Sequence, residues 1–588
     1  MKHLVFDVET DGLVSTKIWC ICAVDVNTNE EYAFGPDQLQ EGYKLLESAD
    51  KLIGHNIIGF DIPVVEKFGK VKLRDKIIVD TLVLSRLFNP IREGNHGLER
   101  WGYELGSPKI DFEEYDRFSN EMLEYCMQDV RLNRLVFDAL KKESKGFTKQ
   151  SVDLEMETYK IISAQREYGF LLDMDAATSL LSKLNIKMAD VVAQVQERFQ
   201  PRKETLWLYP KYTKDGKLSK SATTNLGKNT RLSQFEYSQM QAVTKKDSVV
   251  KVARSIITDF NLGSRKQIGE YLIEFGWKPK AFTPTGQPQV DEKILSKVDN
   301  IPEAKLIADY LMYQKRVAQV ESWIKKADPD NRVRGYVNSN GTITGRMTHK
   351  DPNLAQVPST ASPYGKDCRA CWTVPRGSKL VGIDASGLEL RMLAHYMNDE
   401  DYTNEVINGD IHTTNQKLAG IESRNKAKTF IYALCYGAGV KRLSEILGGS
   451  TSHASSVRES FFNNLPAFTT LTNNVERSST KGFLKGLDGR KLFVRSKHSA
   501  LNTLLQGAGA IVMKQALIIF NNALNKEGID AHFVANVHDE WQVEVDKEHA
   551  ERVGEIGVAA IVAAGKDLNL NCPLDGEYNV GNNWAETH

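Results

Sequence analysis

Apolar and polar residues alternate through His3–Glu9, which predicts a strand with Leu4, Phe6 and Val8 on one face and Val5, Asp7 and Glu9 on the other. Over Glu121–Leu140 the period lengthens to that of a helix, with Met122, Tyr125, Cys126, Val130 and Leu135 as its apolar positions. Strands and helices alternate up to a Lys-, Gly- and Ser-rich break at Lys141–Gln150, which predicts a domain boundary. Residues 151–200 read as two helices joined near Gly169–Asp173. At Pro201 the pattern becomes polar (PRKETLWLYPKYTKDGKLSKSATTNLGKNT), and helical periodicity resumes near Lys251 and continues through Gln267–Phe275. So long an interruption is rarely structureless inside a domain, and residues 201–254 are expected to be an insertion between two helices. From Arg332 onward strands and helices mix in an α+β pattern. No internal repeat is visible.

No stretch approaches the roughly 20 apolar residues of a membrane span, and MKHLVFDVETDGL lacks the apolar run of a signal peptide. A cytoplasmic protein without a membrane partner is expected. The 588 residues suffice for several domains, and 41% hydrophobic with 26% charged residues is an ordinary globular composition. Seven cysteines lack framework spacing, and Cys368 and Cys371, the one CxxC, have no second pair to complete a zinc site. Reduced thiols are expected. The net charge is +0, but its distribution is uneven. Residues 1–150 hold 20 Lys+Arg against 26 Asp+Glu, whereas residues 201–254 hold 12 against 4. An acidic module beside a basic arm suits metal chemistry in one place and phosphate contact in another.

Asp7 and Glu9 share a strand face because side chains there repeat every two residues. Asp61 follows, and Tyr125 and Asp129 lie one turn apart on one helix face. Four carboxylates in one pocket repel strongly unless divalent cations neutralise them. Two Mg²⁺ ions about 3.5–4 Å apart would activate a water and stabilise the 3′-oxygen leaving a phosphodiester. Near the other end, an apolar strand delivers Asp384 (KLVGIDASGLELR), with a helix from Leu388 to His395, and HFVANVHDEWQVEV reads as a hairpin with Asp539 at its turn. A sheet can bring these two strand-end carboxylates together, where two metals would serve a primer 3′-hydroxyl and a triphosphate. Arg424, Lys428, Tyr432 and Tyr436 recur every four residues and form a drifting stripe on one helix side, cations for phosphate and phenols for bases and sugar.

The order D-x-E, distal Asp, Y-x₃-D resembles the DEDDy 3′→5′ exonucleases with a ribonuclease H-like fold. DASGLELR, R-x₃-K-x₃-Y-x₃-YG and VHDE resemble motifs A, B and C of the family A (DNA polymerase I-like) DNA polymerases. With NGDIHT, AKTFIY and KGLDGRK, the likeness extends to the replicative polymerases of T-seven-type bacteriophages and covers nearly the whole chain. It implies an α+β and α/β multidomain protein: an exonuclease domain over 1–150, a thumb over 151–330 with the basic insertion, palm over 331–403 and 481–588, and fingers over 404–480.

The resemblance further implies Asp7, Glu9, Asp61 and Asp129 as exonuclease metal ligands, with Tyr125 orienting the attacking water. Asp384, Asp539 and the Ala385 carbonyl would hold the polymerase metals, Mg²⁺ with Mn²⁺ as substitute. His412, Arg424 and Lys428 would contact the triphosphate, with Lys428 the proton donor to pyrophosphate. Glu389 and Tyr432 would crowd the sugar 2′-position, Tyr436 and Gly437 would complete the nucleotide site, and Arg346, Gln506 and His538 would touch the minor groove of the primer–template. Minor-groove acceptors are common to every correct pair, so such contacts test geometry without reading sequence.

The implied substrates are primer–template DNA and dNTPs, the implied partner at the insertion a thioredoxin-like processivity factor, and the implied companion a replicative helicase–primase. The expected location is the host cytoplasm of a phage-infected cell. The chain opens on the exonuclease motif, so a separate 5′-nuclease domain is expected to be missing, which favours replication over gap repair. Trp541 stands where the family usually has a branched aliphatic, an expected change of packing behind the metal site. A single-subunit RNA polymerase would have to admit a 2′-hydroxyl, against Glu389 and Tyr432. A DNA-binding scaffold would not need six ligand carboxylates, and a nuclease alone leaves the last 250 residues without a role.

Overall fold

A computed structural model describes residues 1–243 and 251–588. The described chain groups into two compact units, Met1–Ala177 with Ser322–His588, and Thr178–Glu321. The first unit takes in the segments expected as exonuclease, palm and fingers, and the second most of the expected thumb.

In the first unit, strands β1 (His3–Thr10), β2 (Ile18–Asp25), β3 (Glu31–Phe34), β4 (Lys51–Gly54) and β5 (Ile77–Asp80) form one sheet in the order β3-β2-β1-β4-β5. The β1–β2 and β2–β3 pairs are antiparallel and β1–β4 and β4–β5 parallel, as in the expected ribonuclease H-like fold. The alternation read in β1 separates two apolar layers. Leu4, Phe6 and Val8 join the large core on one side, and Val5 packs with Cys20, Cys22, Met122 and Cys126 on the other. Helix α1 (Asn120–Glu143) covers that second side, capped by the Ser119 hydroxyl, which accepts from the Met122 N–H. Leu135, expected on its apolar face, is 45% exposed; Leu132, Val136 and Leu140 face inward instead. Helix α2 (Lys149–Tyr168) follows, so the Lys141–Gln150 break shrinks to a short turn.

The second sheet consists of β6 (Ser378–Ala385), β7 (Ala531–Val537), β8 (Glu540–Asp546) and β9 (Gly576–Gly581), all antiparallel, in the order β7-β8-β6-β9. Helix α3 (Ala500–Glu527) packs in the core beside it. Contrary to the sequence expectation, a window within Lys497–Glu527 is long and apolar enough to cross a membrane; it is mostly buried inside the protein, as the central helix of a core. Trp541 on β8 is fully buried and meets Phe520 of α3 at 5.4 Å between ring centroids. All seven cysteines are free and buried.

In the second unit, the insertion folds as a small sheet. Strands Arg202–Tyr212, Leu218–Thr224, Asn229–Arg231 and Val252–Thr258 pair antiparallel, with helix Gln234–Val243, around Leu208, Ala222, Leu232, Met240 and Val252. The helical periodicity expected from Lys251 is therefore wrong up to Thr258: Ala253, Ser255 and Ile257 point outward on an edge strand, and helix begins only at Arg265. The 244–250 part of the expected insertion lies outside the described residues.

Truncating a fully buried indole leaves a cavity that the surrounding β-sheet fills only in part. Trp541→Ala should therefore lower the unfolding free energy by about 3–5 kcal/mol, read from the denaturant midpoint at unchanged m-value.

Candidate active sites

The first candidate site lies between β1 and α1. The Val8 N–H donates to Asp61 Oδ1 at 3.1 Å, which draws the first residue of helix Asp61–Gly69 up to the β1 carboxylates. Tyr125 and Asp129 reach the same place from α1, both buried. The four carboxylates meet as the resemblance implied, and their charges register on one another. Burial, then Asp61, Glu9 and Asp129, hold the Asp7 carboxyl well above its ordinary range. Burial pushes Glu9 up to about 8 and Asp61 to about 7, and it also raises Asp129, against the pull of Lys109.

Two residues join this site that sequence reasoning missed. Lys109 forms an ion pair with Asp129 and donates to the Tyr125 hydroxyl at 2.9 Å; it comes from a stretch without periodic pattern, so nothing in the sequence marked it. Cys126 was read only as an apolar position. Its thiol donates to the Asp7 carbonyl at 3.5 Å, and Asp7, Glu9 and Cys126 bring ligand atoms within 4.8 Å of one another. Its position three residues before Asp129 on the helix was the available signal.

The second candidate site sits at the ends of β6 and the β7–β8 turn. Asp384 pairs across the sheet with Glu540, and the Ala385 N–H donates to the Asp539 carbonyl at 3.1 Å, so Asp384, Ala385 and Asp539 come together as expected. Burial, then Glu540 and Asp539, raise Asp384 to about 7; Asp539 is raised by burial and held back by Arg346. His538 occupies the turn with φ of +56°, a left-handed conformation uncommon for a residue with a Cβ. Glu540 faces away into the core, where the Trp584 indole donates to it at 2.6 Å and His588 lies 2.9 Å off.

Arg424–Cys435 is helical, with Ala427, Phe430, Ile431 and Leu434 buried and Arg424 and Lys428 exposed beside half-buried Tyr432. His412, near the start of helix Ile411–Ala419, lies 6.1 Å from Tyr432 between ring centroids, and burial, then the charges of Lys428 and Arg424, lower its pKa. Arg424 is held by Asp410 through two hydrogen bonds of 2.7 and 2.9 Å, a partner within the NGDIHT segment not anticipated from the sequence. Tyr436, not Tyr432, hydrogen-bonds Glu389, donating at 2.6 Å, and Arg346 lies 3.5 Å from the same oxygen. Gly437 has φ of +75° and a Cβ there would fall 2.0 Å from the His498 carbonyl, so only glycine fits. Gln506 is half-buried on α3, one turn before Ala510, which lines a small cavity with Arg346, His538 and Asp539.

A four-stranded antiparallel sheet with paired carboxylates, opposite a helix bearing cations and phenols and joined to a ribonuclease H-like domain, defines a nucleic-acid polymerase with an attached nuclease-type fold. The chain belongs to DNA polymerase family A, whose sequence model matches residues 231–586. It is similar over its whole length to the DNA-directed DNA polymerase of Enterobacteria phage T3, at 32% identity over 713 aligned residues covering 100% of both chains. The DNA-directed DNA polymerase of Escherichia phage T7 matches at 32% over 704, again covering 100% of both. In fold it is similar to the POL domain of Pol1 from M. smegmatis, solved with DNA primer-template and dNTP, with a TM-score of 0.77 at 17% identity over 100% of this chain and 96% of that one. The activity of the family, DNA-directed DNA synthesis, is the activity of this chain.

The raised carboxylates give a pH dependence with a definite sign. Folded, metal-free protein keeps protons on Glu9 and Asp61 that the unfolded chain has released, so this contribution to stability is full below about pH 4 and is lost as pH rises through about 7 to 8. With EDTA present, the melting temperature should fall between pH 5 and 8 by calorimetry. Mg²⁺ should reverse the fall, and Asp7→Asn/Glu9→Gln should flatten it.

Proposed function

We propose that this polymerase replicates a bacteriophage genome and carries its own 3′→5′ proofreading exonuclease, each site working with paired divalent ions. The observation that carries the reading is the convergence of two separate carboxylate groups, one on each sheet, both with raised pKa values. The donor sets suit a hard cation: they are oxygen-rich, and Asp129 Oδ1 is buried without a hydrogen-bond partner among the described residues. Asp384, Asp539 and the Ala385 carbonyl would hold Mg²⁺, or Mn²⁺, at one site, and Asp7, Glu9, Asp61 and Asp129 at the other. Bound there, such ions supply Lewis-acid activation of the attacking oxygen and neutralise charge on the phosphate.

The protein's own groups do the rest. Arg424, Lys428 and His412 line one side and would grip the triphosphate, with Lys428 giving a proton to the departing pyrophosphate. Glu389, tethered by the Tyr436 hydroxyl, and Tyr432 would leave no room for a 2′-hydroxyl. Tyr432 itself, where some relatives have Phe, implies weak rejection of dideoxynucleotides. Arg346, Gln506 and His538 would probe the minor groove at the primer end. In the exonuclease, Tyr125 would orient the attacking water, its hydroxyl already held by Lys109.

The insertion is proposed as a processivity element. Lys203, Lys214, Lys217, Lys220 and Lys228 are exposed on it, beside exposed Tyr212 and Phe235, which suits either a thioredoxin-like protein or the DNA backbone. A helicase–primase would work alongside. Thioredoxin should lengthen the products of primer extension; unchanged lengths would leave direct contact with DNA as the mode.

Extension of a labelled primer–template with Mg²⁺ tests the two sites together. Asp539→Ala should abolish extension yet still shorten the primer, and Asp7→Ala/Glu9→Ala should do the reverse. An Asp539→Ala enzyme that still extends would refute the palm assignment.

A further inference from the structure

The KGLDGRK segment contributes no residue to either site, yet it holds two buried charges. Residues 485–491 form a tight hairpin in which Asp488 and Arg490 are 1% and 3% exposed. Arg490 bonds Asp488 through Nε at 2.8 Å and reaches Glu155 Oε1 through Nη1 at 2.6 Å. Lys514 of α3, 2% exposed, donates to the same Oε1 at 2.6 Å. Two cations therefore converge on one oxygen of a fully buried glutamate whose other oxygen has no hydrogen-bond partner among the described residues. Buried charges of this kind cost desolvation and persist where each holds another in place.

What this cluster supports is the turn that carries Arg346. Gly345 has φ of +77°, and a Cβ there would lie 3.2 Å from Arg490 Nη1 and 4.0 Å from Lys514 Nζ, so the turn faces the two cations with room for little more than a methyl group between. Lys514 also lines, with Gly345, Arg346, Asn536, His538 and Asp539, a cavity of about 30 Å³, room for about one water. Glu155 belongs to α2, which is anchored to the palm by a second buried bond, from Asn536 Nδ2 to Gln165 Oε1 at 2.9 Å.

We propose that Lys514, with Arg490 and Glu155, is a positioning residue for DNA synthesis: it fixes the Gly345–Arg346 turn so that the Arg346 guanidinium meets the primer end in the geometry that only a correct pair offers. Lys514 does not touch DNA and acts through Arg346. The inference rests on the assignment of Arg346 as a primer–template contact, made above. A lost buried cation lets the turn and the guanidinium drift, and drift of about 1 Å near a reacting centre is worth up to about a hundredfold in rate.

The test is a double-mutant cycle in single-turnover extension on the full-length enzyme. Lys514→Met should lower the extension rate of a paired primer about ten- to hundredfold while primer–template affinity changes less than about threefold, and should narrow the gap between paired and mispaired primer ends. In an Arg346→Ala background the same substitution should cost less than about twofold, because its route is already removed. Should Lys514→Met slow the Arg346→Ala enzyme by the factor it slows the parent, the inference is overturned. Gly345→Ala puts a methyl group on the side of the turn that faces Arg490 and Lys514, and it provides the cycle with the same two outcomes if Lys514→Met does not fold. An Arg346→Ala enzyme as fast as the parent would sink the Arg346 assignment itself, and this inference with it, leaving the polymerase activity untouched.

Discussion

Like charges placed together in ground poor in water dominate this molecule. Each candidate site gathers carboxylates that repel one another, and burial adds to the cost, as the raised pKa values of Asp7, Glu9, Asp61 and Asp384 register. No carboxylate cluster gathers itself. The backbone does it, with two carboxylates on one face of β1, a third drawn in by the Val8 N–H, and Asp384 and Asp539 held at the ends of adjacent strands of a hydrogen-bonded sheet. Rigid sheets suit this work because their geometry is secured by ladders of bonds far from the repelling groups. Asp80 shows the same economy: buried at the end of β5, it accepts four backbone N–H groups, from Asn56, Ile58, Leu82 and Val83, and so shapes the loop that leads to Asp61.

Helix α2 joins the two halves of the large unit. On one side Tyr159 donates to Asn56 at 2.8 Å and Ser163 to the Ile58 carbonyl at 2.9 Å, both in the loop before Asp61. On the other side Glu155 and Gln165 reach α3 and β7, and the Tyr168 ring stacks on His532 at 3.8 Å between centroids. The two candidate sites thus hang from one helix through buried polar contacts. Such contacts fix register in a way that apolar packing alone does not, because a slipped register leaves charges unpaired.

Much of this was legible in the residues. The period of two in β1 separated the carboxylate face from the core face, and the spacing of four in the Arg424–Cys435 helix separated Arg424, Lys428 and Tyr432 from buried Ala427, Phe430 and Ile431. Strand-end aspartates at 384 and 539 announced themselves by the apolar runs that precede them. Leu135 and the Lys251–Thr258 segment misled for a common reason. Periodicity reports which side of an element is apolar only as an average, so a single exposed leucine on α1 beside buried Leu132, Val136 and Leu140, and an edge strand with Ala253 and Ile257 outward, both escape it.

The partners of the functional groups were not legible. Lys109 on Asp129, Asp410 on Arg424, Tyr436 on Glu389 and Lys514 on Glu155 join residues 14 to 359 positions apart or arise in stretches without pattern. The sequence by itself determined which side chains carry chemistry and on which face of which local element they stand, because a strand or helix repeats at a fixed period whatever surrounds it. Only the tertiary structure decided which of these faces meet, and so which charge neutralises which, because Coulomb and hydrogen-bond energies depend on distances in space that the chain's order does not contain.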